Sequence, residues 1–468
     1  MLIWNSSLRV TATALAALAV ATATPARSQV RFAPDSVVRT ILESRIASNR
    51  GKGFVVAIVE RGQPPRYFTA GSSGVSSLAL DRNTVFEIGS ITKVFTSTLL
   101  SEMIQRGDVK LDDPISKYLP KKVRVPTHKG RDITLADLAT QTSGLPRLPT
   151  NLRPANVANP YSDYSVENLY DFLGSYTLTR DIGSQYEYSN LGVGLLGHVL
   201  SLAGGKSYET LLEERVLRPL GMTDTKVTLA PSMETRMAQG FNAAGDPMSR
   251  WDFIALGGAG ALRSTASDMA KFLMATLDSA ASPLGAVLER TQASRHAADR
   301  PANSIGLGWH IVDVFGSRIT WHNGGTGGYR AFIGFDDARN RGVVVLSNSL
   351  VSPDDIGFHL LEPRVPLDAP PAPPVARVEI QLDESKLQPL VGVYELSPAF
   401  LITITREGAE LYGQATGQGR VRLHPESPSK FFVRGVDAQI SFVVGADGTV
   451  SELTLHQNGA NIPGKRVQ

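Results

Sequence analysis

Ser90 and Lys93 stand three residues apart in the stretch Phe86-Glu-Ile-Gly-Ser-Ile-Thr-Lys-Val-Phe95. On a helix that spacing puts both side chains on one face, about 5–6 Å apart at Cβ. A serine hydroxyl becomes a nucleophile when a neighbouring base takes its proton, and a desolvated lysine can serve as that base. A helix N-terminus adds partial positive charge beside the oxygen that must become anionic. The pair therefore points to acyl transfer through a covalent serine. The plainer alternative is a helix cap followed by a solvated lysine. A pattern this short recurs by chance, and the chain holds a second copy, Ser427-Pro-Ser-Lys430. Pro428 and the strand-like runs around it make that copy a turn, with no helix to align the two side chains.

Two further clusters could serve the same chemistry. Tyr188 and Asn190 lie two apart just before an apolar helical run, Leu191 to Ala203. A segment in extended or turn form can project both the same way. A phenol relays a proton when nearby cations lower its pKa, and an amide both donates to and accepts from a substrate. The structural alternative is a buried tyrosine beside a helix-capping asparagine. The third cluster is His322-Asn323-Gly324-Gly325-Thr-Gly-Gly, at the end of a strand-like run from Ser317. Read as an edge strand, it lets a ligand approach its glycine backbone and take N–H groups for a developing oxyanion. His322 is then a proton relay or donor, or a structural histidine.

These residues need a frame. Asp35 to Ala47 is an amphipathic helical stretch with Val37, Val38, Ile41 and Ile46 as its apolar positions. Gly53 to Glu60 is a β-branched run that reads as a buried strand, with Arg66 to Gly71 as its hairpin partner. Val94, Leu99, Leu100 and Met103 anchor the nucleophile helix. Leu111-Asp-Asp-Pro-Ile115 turns into a short helix. The spacing predicts a helix over 133–142, stopped by Ser143-Gly144. Residues 147–165 form a surface loop with Tyr161 and Tyr164, and 204–282 read as mostly helical. A glycine-rich approach, 257–263, leads to a helix capped between Ser264 and Ser267. Ala331 to Phe335 and Gly342 to Asn348 follow the His322 strand as antiparallel neighbours, and Asp354 to Leu361 is a helix.

The chain has 468 residues, 42% hydrophobic and 19% charged, which suits two or three globular domains. Residues 1–28 carry a basic Arg9, an uncharged apolar stretch and small residues before Gln29, as a secretory signal peptide does. Past Ser28, 45 basic side chains face 44 acidic ones. That balance argues against a nucleic-acid partner and against strong electrostatic membrane binding. There is no cysteine, so disulfides, thiolate catalysis and Cys-ligated zinc are excluded.

The order Ser-x-x-Lys, Tyr-x-Asn, His-x-Gly, with gaps of 98 and 134 residues, resembles the penicillin-recognising serine hydrolases. These comprise class C β-lactamases, D-Ala-D-Ala carboxypeptidases of that type and β-lactamase-like carboxylesterases. Phe86-Glu-Ile-Gly-Ser, Leu111-Asp-Asp-Pro, Thr142-Ser-Gly-Leu-Pro, Tyr188-Ser-Asn-Leu-Gly, Pro219-Leu-Gly-Met and His322-Asn-Gly-Gly-Thr-Gly-Gly carry the resemblance over roughly residues 35–362. It implies an α/β sandwich, a central antiparallel sheet beside an all-helical subdomain, with the site between them. It implies Ser90 as the acylated nucleophile, Lys93 as its base or base partner, Tyr188 as proton relay and Asn190 as a substrate contact. His322, Asn323 and Gly324 would line the site, and the N–H groups of Ser90 and Gly325 would form the oxyanion hole. No metal or cofactor is implied. Class C β-lactamases carry Lys-Thr-Gly where this chain has His322-Asn-Gly324, so a fixed charge beside Tyr188 is lost or becomes pH-dependent. That favours peptidase or esterase chemistry over efficient β-lactam hydrolysis. Gln141 stands where histidine is frequent, with little expected consequence.

Residues 366–384 form a proline-rich, extended linker. Beyond it the pattern changes to six short alternating strands, with hairpin signals at Arg406-Glu-Gly and Ala446-Asp-Gly. The expected layout is a signal peptide over 1–28, a hydrolase domain over 29–365, the linker, and a small antiparallel β barrel or sandwich over 385–468. The function expected is an exported, secreted or periplasmic serine hydrolase acting on a β-lactam, D-amino-acid peptide or short ester. The alternative is a penicillin-binding sensor that acylates and barely turns over. The partner is a small molecule or peptide.

Overall fold

The run Gly53–Glu60 is buried at every position but the last, which a strand achieves only when both sheet faces are covered. The computed structural model shows how. It describes residues 34–299, 303–369, 377–397, 400–416, 420–434, 438–445, 447–457 and 460–467; the expected signal peptide lies outside them. β1 (Gly53–Glu60) and β2 (Arg66–Gly71) form the expected hairpin. β3 (Val85–Glu87) pairs separately with β4 (Arg263–Thr265). β5 (His296–Ala297), β6 (Asn303–Ile305), β7 (His310–Val314), β8 (Ser317–Gly325), β9 (Arg330–Asp336) and β10 (Arg341–Ser347) complete an antiparallel sheet of order β2-β1-β10-β9-β8-β7-β6-β5. Val55, Ala57 and Val59 of β1 join the large core, which also takes in the Ala266–Leu277 helix. Phe54, Val56 and Ile58 alternate with them and point to the other face. The Asp35–Ala47 helix packs on β2, with Val38, Ile41 and Leu42 buried; Val37 is exposed instead, and Arg45 is buried in a salt bridge with Asp355 of the Asp354–Leu361 helix.

The nucleophile stretch forms a 3-10 turn, Gly89–Ile91, running into a helix, Thr92–Arg106, that Gly107 ends at φ +82°. Every residue from Thr92 to Met103 is buried, so this helix is central rather than amphipathic. Two of its hydroxyls bond within the helix, Thr96 and Thr98 donating to the carbonyls of Thr92 and Val94, four residues back, while Ser101 donates to the Val287 carbonyl.

Several sequence expectations are corrected. The helix expected over 133–142 is only Leu135–Ala139, because the chain turns through Gln141 at φ +62°. Within 204–282, residues 218–262 are largely irregular around one short helix, Pro231–Glu234. The His322 strand is not an edge strand along its length. β8 is flanked by β7 up to Trp321, and only His322–Gly325 lack a partner on that side.

The C-terminal strands close into a barrel of eight, not six: β11 (Gly392–Ser397), β12 (Phe400–Glu407), β13 (Glu410–Ala415), β14 (Val421–Ser427), β15 (Lys430–Phe432), β16 (Ala438–Val444), β17 (Val450–Gln457) and β18 (Ala460–Arg466). The two unforeseen strands, β11 and β18, pair with each other through Tyr394↔Arg466 and Glu395↔Lys465 and so complete the ring. β18 carries Pro463 and Gly464, which mask its strand signal. Inside lie Tyr394, Leu411, Phe431, Phe442 and Leu453. The second Ser-x-x-Lys spans the β14–β15 turn, where the Ser427 hydroxyl accepts the Lys430 N–H at 3.0 Å.

Candidate active site

Lys93 is completely buried, and its Nζ lies 3.0 Å from Ser90 Oγ. The same nitrogen donates to the Ala259 carbonyl at 2.7 Å, an acceptor delivered by the glycine-rich segment before the Ala266–Leu277 helix. Among the described residues no carboxylate pairs with this amine, so desolvation holds the Lys93 pKa well below that of an ordinary lysine, and Arg147 pushes it the same way. A neutral amine offers N–H to Ala259 and a lone pair to the Ser90 hydroxyl.

Tyr188 joins this pair. Its phenol faces Ser90, and burial raises its pKa to about 12 against the opposing pull of Ser90 and Arg147. Lys93 Nζ and the Arg147 guanidinium carbon each sit 4.9 Å from the Tyr188 ring centroid. The segment around Tyr188 is laced to residues 141–147. Gln141 accepts the Ser189 N–H on its side-chain carbonyl at 2.7 Å and the Glu187 N–H on its main-chain carbonyl at 2.8 Å. The Ser189 hydroxyl donates to Pro146, and Arg147 accepts the Asn190 N–H. Thus Gln141, expected to matter little, grips the chain on both sides of Tyr188. Ser189, not Asn190, caps the Asn190–Gly204 helix through the Gly192 N–H. Asn190 lines the cavity, and its Oδ1 is buried with no hydrogen-bond partner among the described residues.

The β8 end is laid against the Ser90 turn. A Cβ on Gly324 would lie 1.9 Å from the Ile88 carbonyl oxygen, and one on Gly89 would lie 2.6 Å from the Gly325 nitrogen. Gly89 also holds φ +49°, a left-handed conformation that favours glycine. The Ser90 and Gly325 backbones are thereby neighbours at the mouth of the site. His322 is buried, and its Nδ1 donates to the Asn323 carbonyl at 2.5 Å, which leaves Nε2 as an acceptor. Burial, His310 and Lys93 all lower its pKa well below that of an ordinary histidine. The position is therefore uncharged at neutral pH, and Arg147 is the cation over Tyr188.

A cavity of about 940 Å³ gathers Ser90, Tyr188, Asn190, Asn323, Gly324 and Gly325. Lys93 and His322 lie beneath its wall. Residues that the sequence did not single out also border it. Arg147, Tyr186 and His310 surround Tyr188, and Asp354 takes a hydrogen bond from Asn323 Nδ2 at 2.6 Å; Tyr161, expected on the 147–165 loop, also borders the cavity and stacks on Phe253 at 4.6 Å. The His310 ring is 4.9 Å from His322 and 6.3 Å from Tyr188. Its signal was the β7–β8 pairing, His310 opposite Trp321, which only a correct hairpin assignment would reveal. The arrangement holds a hydroxyl, a neutral amine, a neutral phenol and a cleft edge of backbone N–H groups within reach of one carbonyl.

The beta-lactamase family profile matches residues 38–360, and a domain of unknown function, DUF3471, matches residues 376–466. A D-alanyl-D-alanine-carboxypeptidase/endopeptidase, AmpH, of Escherichia coli K12 is 32% identical over 63% of this chain and 84% of its own length. A beta-lactamase of the same strain is 28% identical over 67% of this chain and 88% of its own. Penicillin-binding protein 4* of Bacillus subtilis is 24% identical over 81% of this chain and 87% of its own.

Proposed function

The chain belongs to the beta-lactamase family of serine hydrolases, and on that footing we propose that it is an exported acyl hydrolase working through a Ser90 acyl-enzyme. The observation that carries this is the buried, uncompensated Lys93 amine 3.0 Å from Ser90 Oγ. Lys93 accepts the Ser90 proton as the oxygen attacks a substrate carbonyl. The Ser90 and Gly325 N–H groups hold the developing oxyanion, at the start of a helix whose dipole favours it. Tyr188, a neutral phenol beside Ser90, gives its proton to the leaving group and takes in return the proton that Lys93 received from Ser90, so both are neutral again for the second half of the reaction. The tetrahedral intermediate collapses, the leaving group departs protonated, and water attacks the acyl carbonyl in the reverse sense. Asn190 and Asn323 orient the substrate, and His322 braces the β8 backbone from beneath.

The substrate class we favour is an ester or D-amino-acid peptide ahead of a β-lactam. A neutral His322 offers no fixed charge to a β-lactam carboxylate, and a peptidase stands among the similar proteins. Export rests on the sequence of residues 1–28. Among the described residues no helix is long and apolar enough to cross a bilayer. The layout we propose places the hydrolase over 29–365 and the β domain over 385–468, with a proline-rich linker between.

The test follows nitrocefin, p-nitrophenyl butyrate and a D-Ala-D-Ala peptide in parallel, with intact-mass detection of the adduct. Turnover of ester or peptide, lost in Ser90→Ala, supports the reading. A stable adduct with no turnover on any of them would make the protein an acylated binder instead.

A further inference from the structure

A second cavity, of about 440 Å³, opens from the first. His310 and Asp299 border both. Beyond them Asn303 adds one amide, and the lining is otherwise apolar, with Val312, Val314, Trp321, Phe358 and Val365. These side chains are only half-buried, so the groove is open to solvent along its length. Its two walls have one direction. On the sheet side, His310 pairs with Trp321 beside the site and Val314 with Ser317 at the far end, so β7 runs away from Ser90. On the other side, the Asp354–Leu361 helix starts at Asp354, tied to Asn323, and Phe358 meets Trp321 one turn later at 4.9 Å. Val365 follows the helix, its carbonyl accepting from His359.

We infer that this groove is a hydrocarbon subsite: it takes the alkyl or acyl chain of a neutral substrate whose carbonyl sits at Ser90. The inference rests on the acyl-hydrolase reading of that site. A groove that begins at a catalytic cavity, shares its lining and continues apolar suits a chain attached to the reacting group. The five residues of β7, His310 to Val314, span about 13 Å. That is the reach of roughly ten bonds of extended chain. The Asp299 carboxylate at the junction disfavours a free fatty acid and suits an uncharged ester or amide.

Two arms test it on the full chain. In the first, p-nitrophenyl esters are lengthened on the acyl side from acetate to decanoate, and alkyl acetates on the alcohol side. In one of the series kcat/KM should rise roughly two- to fourfold per methylene up to about eight carbons. Val365→Trp should remove the gain for the longest chains and Val312→Trp for medium ones too, both leaving acetate turnover unchanged. A flat or falling profile in both series overturns the proposal. In the second arm, 1-octanol is titrated into the Ser90→Ala protein by calorimetry. Saturable binding, abolished by Val312→Trp, supports the groove even if no ester is turned over. Absence of saturable binding overturns it, whatever the esterase result.

Discussion

Gln141 brackets Tyr188, its side-chain carbonyl on the Ser189 N–H and its main-chain carbonyl on the Glu187 N–H. Gln141→Ala keeps the second bond and removes the first, leaving a buried N–H without a partner at a cost of about 1–3 kcal/mol. With Tyr188 less firmly held, kcat should fall by about 10- to 100-fold, since small misplacements at a reacting centre are expensive. Ester turnover and thermal unfolding, measured together, check this. A lowered Tm with kcat intact would make Gln141 a fold element only.

The neutral state of Lys93 has a kinetic signature. Its pKa is depressed by burial, and protonation removes the lone pair that faces Ser90. The rate of Ser90 adduct formation should therefore fall as pH drops through that depressed value, and be flat above it. Lys93→Arg, permanently charged, should lose about a thousandfold or more in acylation rate at every pH. Single-turnover mass spectrometry across pH reads this directly.

Acid should weaken the fold through His310. Desolvation pushes its pKa down to about 4, against an ordinary 6.5; Lys93 adds to the effect and Asp299 opposes it. The unfolded chain takes up the proton first as pH falls. The stability linked to the neutral ring is whole above about 6.5 and is lost progressively towards about 4. His322 adds in the same direction. The wild-type Tm should drop more between pH 7.5 and 4.5 than that of His310→Gln. Equal drops would refute the assignment.

Neighbouring glycines should behave differently. A methyl on Gly324 meets the Ile88 main chain at 1.9 Å and cannot be relieved without moving the Ser90 turn. Gly324→Ala should cost about 3 kcal/mol or more. A methyl on Gly325 meets the Arg330 side chain at 2.7 Å, whose guanidinium donates to the Thr326 and Tyr329 carbonyls at 2.9 Å and gives way by breaking those bonds rather than by moving the main chain. Gly325→Ala should cost about 1–2 kcal/mol. Urea unfolding distinguishes them.

What could be read from the sequence was what repeats locally. β1, the β1–β2 hairpin and the Asp35–Ala47 and Asp354–Leu361 helices follow from periodicity and turn residues. The family match was legible because its motifs are contiguous. What escaped depends on distant pairings. His310 acquires its place only through β7–β8 register, Arg147 only because 141–147 is laced to 183–190, and β18 only because β11 completes its hydrogen bonds. Gln141 stops a helix that propensity would continue, because its carbonyls are needed elsewhere.

The pairing of β11 with β18 reaches beyond the stability of the tail. A ring of strands presents no ladder to a foreign chain, so the barrel is a poor seed for strand addition and for edge-to-edge aggregation. It carries its own buried centre, with Tyr394 donating to the Leu390 carbonyl inside it. A module with these properties is portable: grafted behind another enzyme, it would bring its hydrogen bonds already paired.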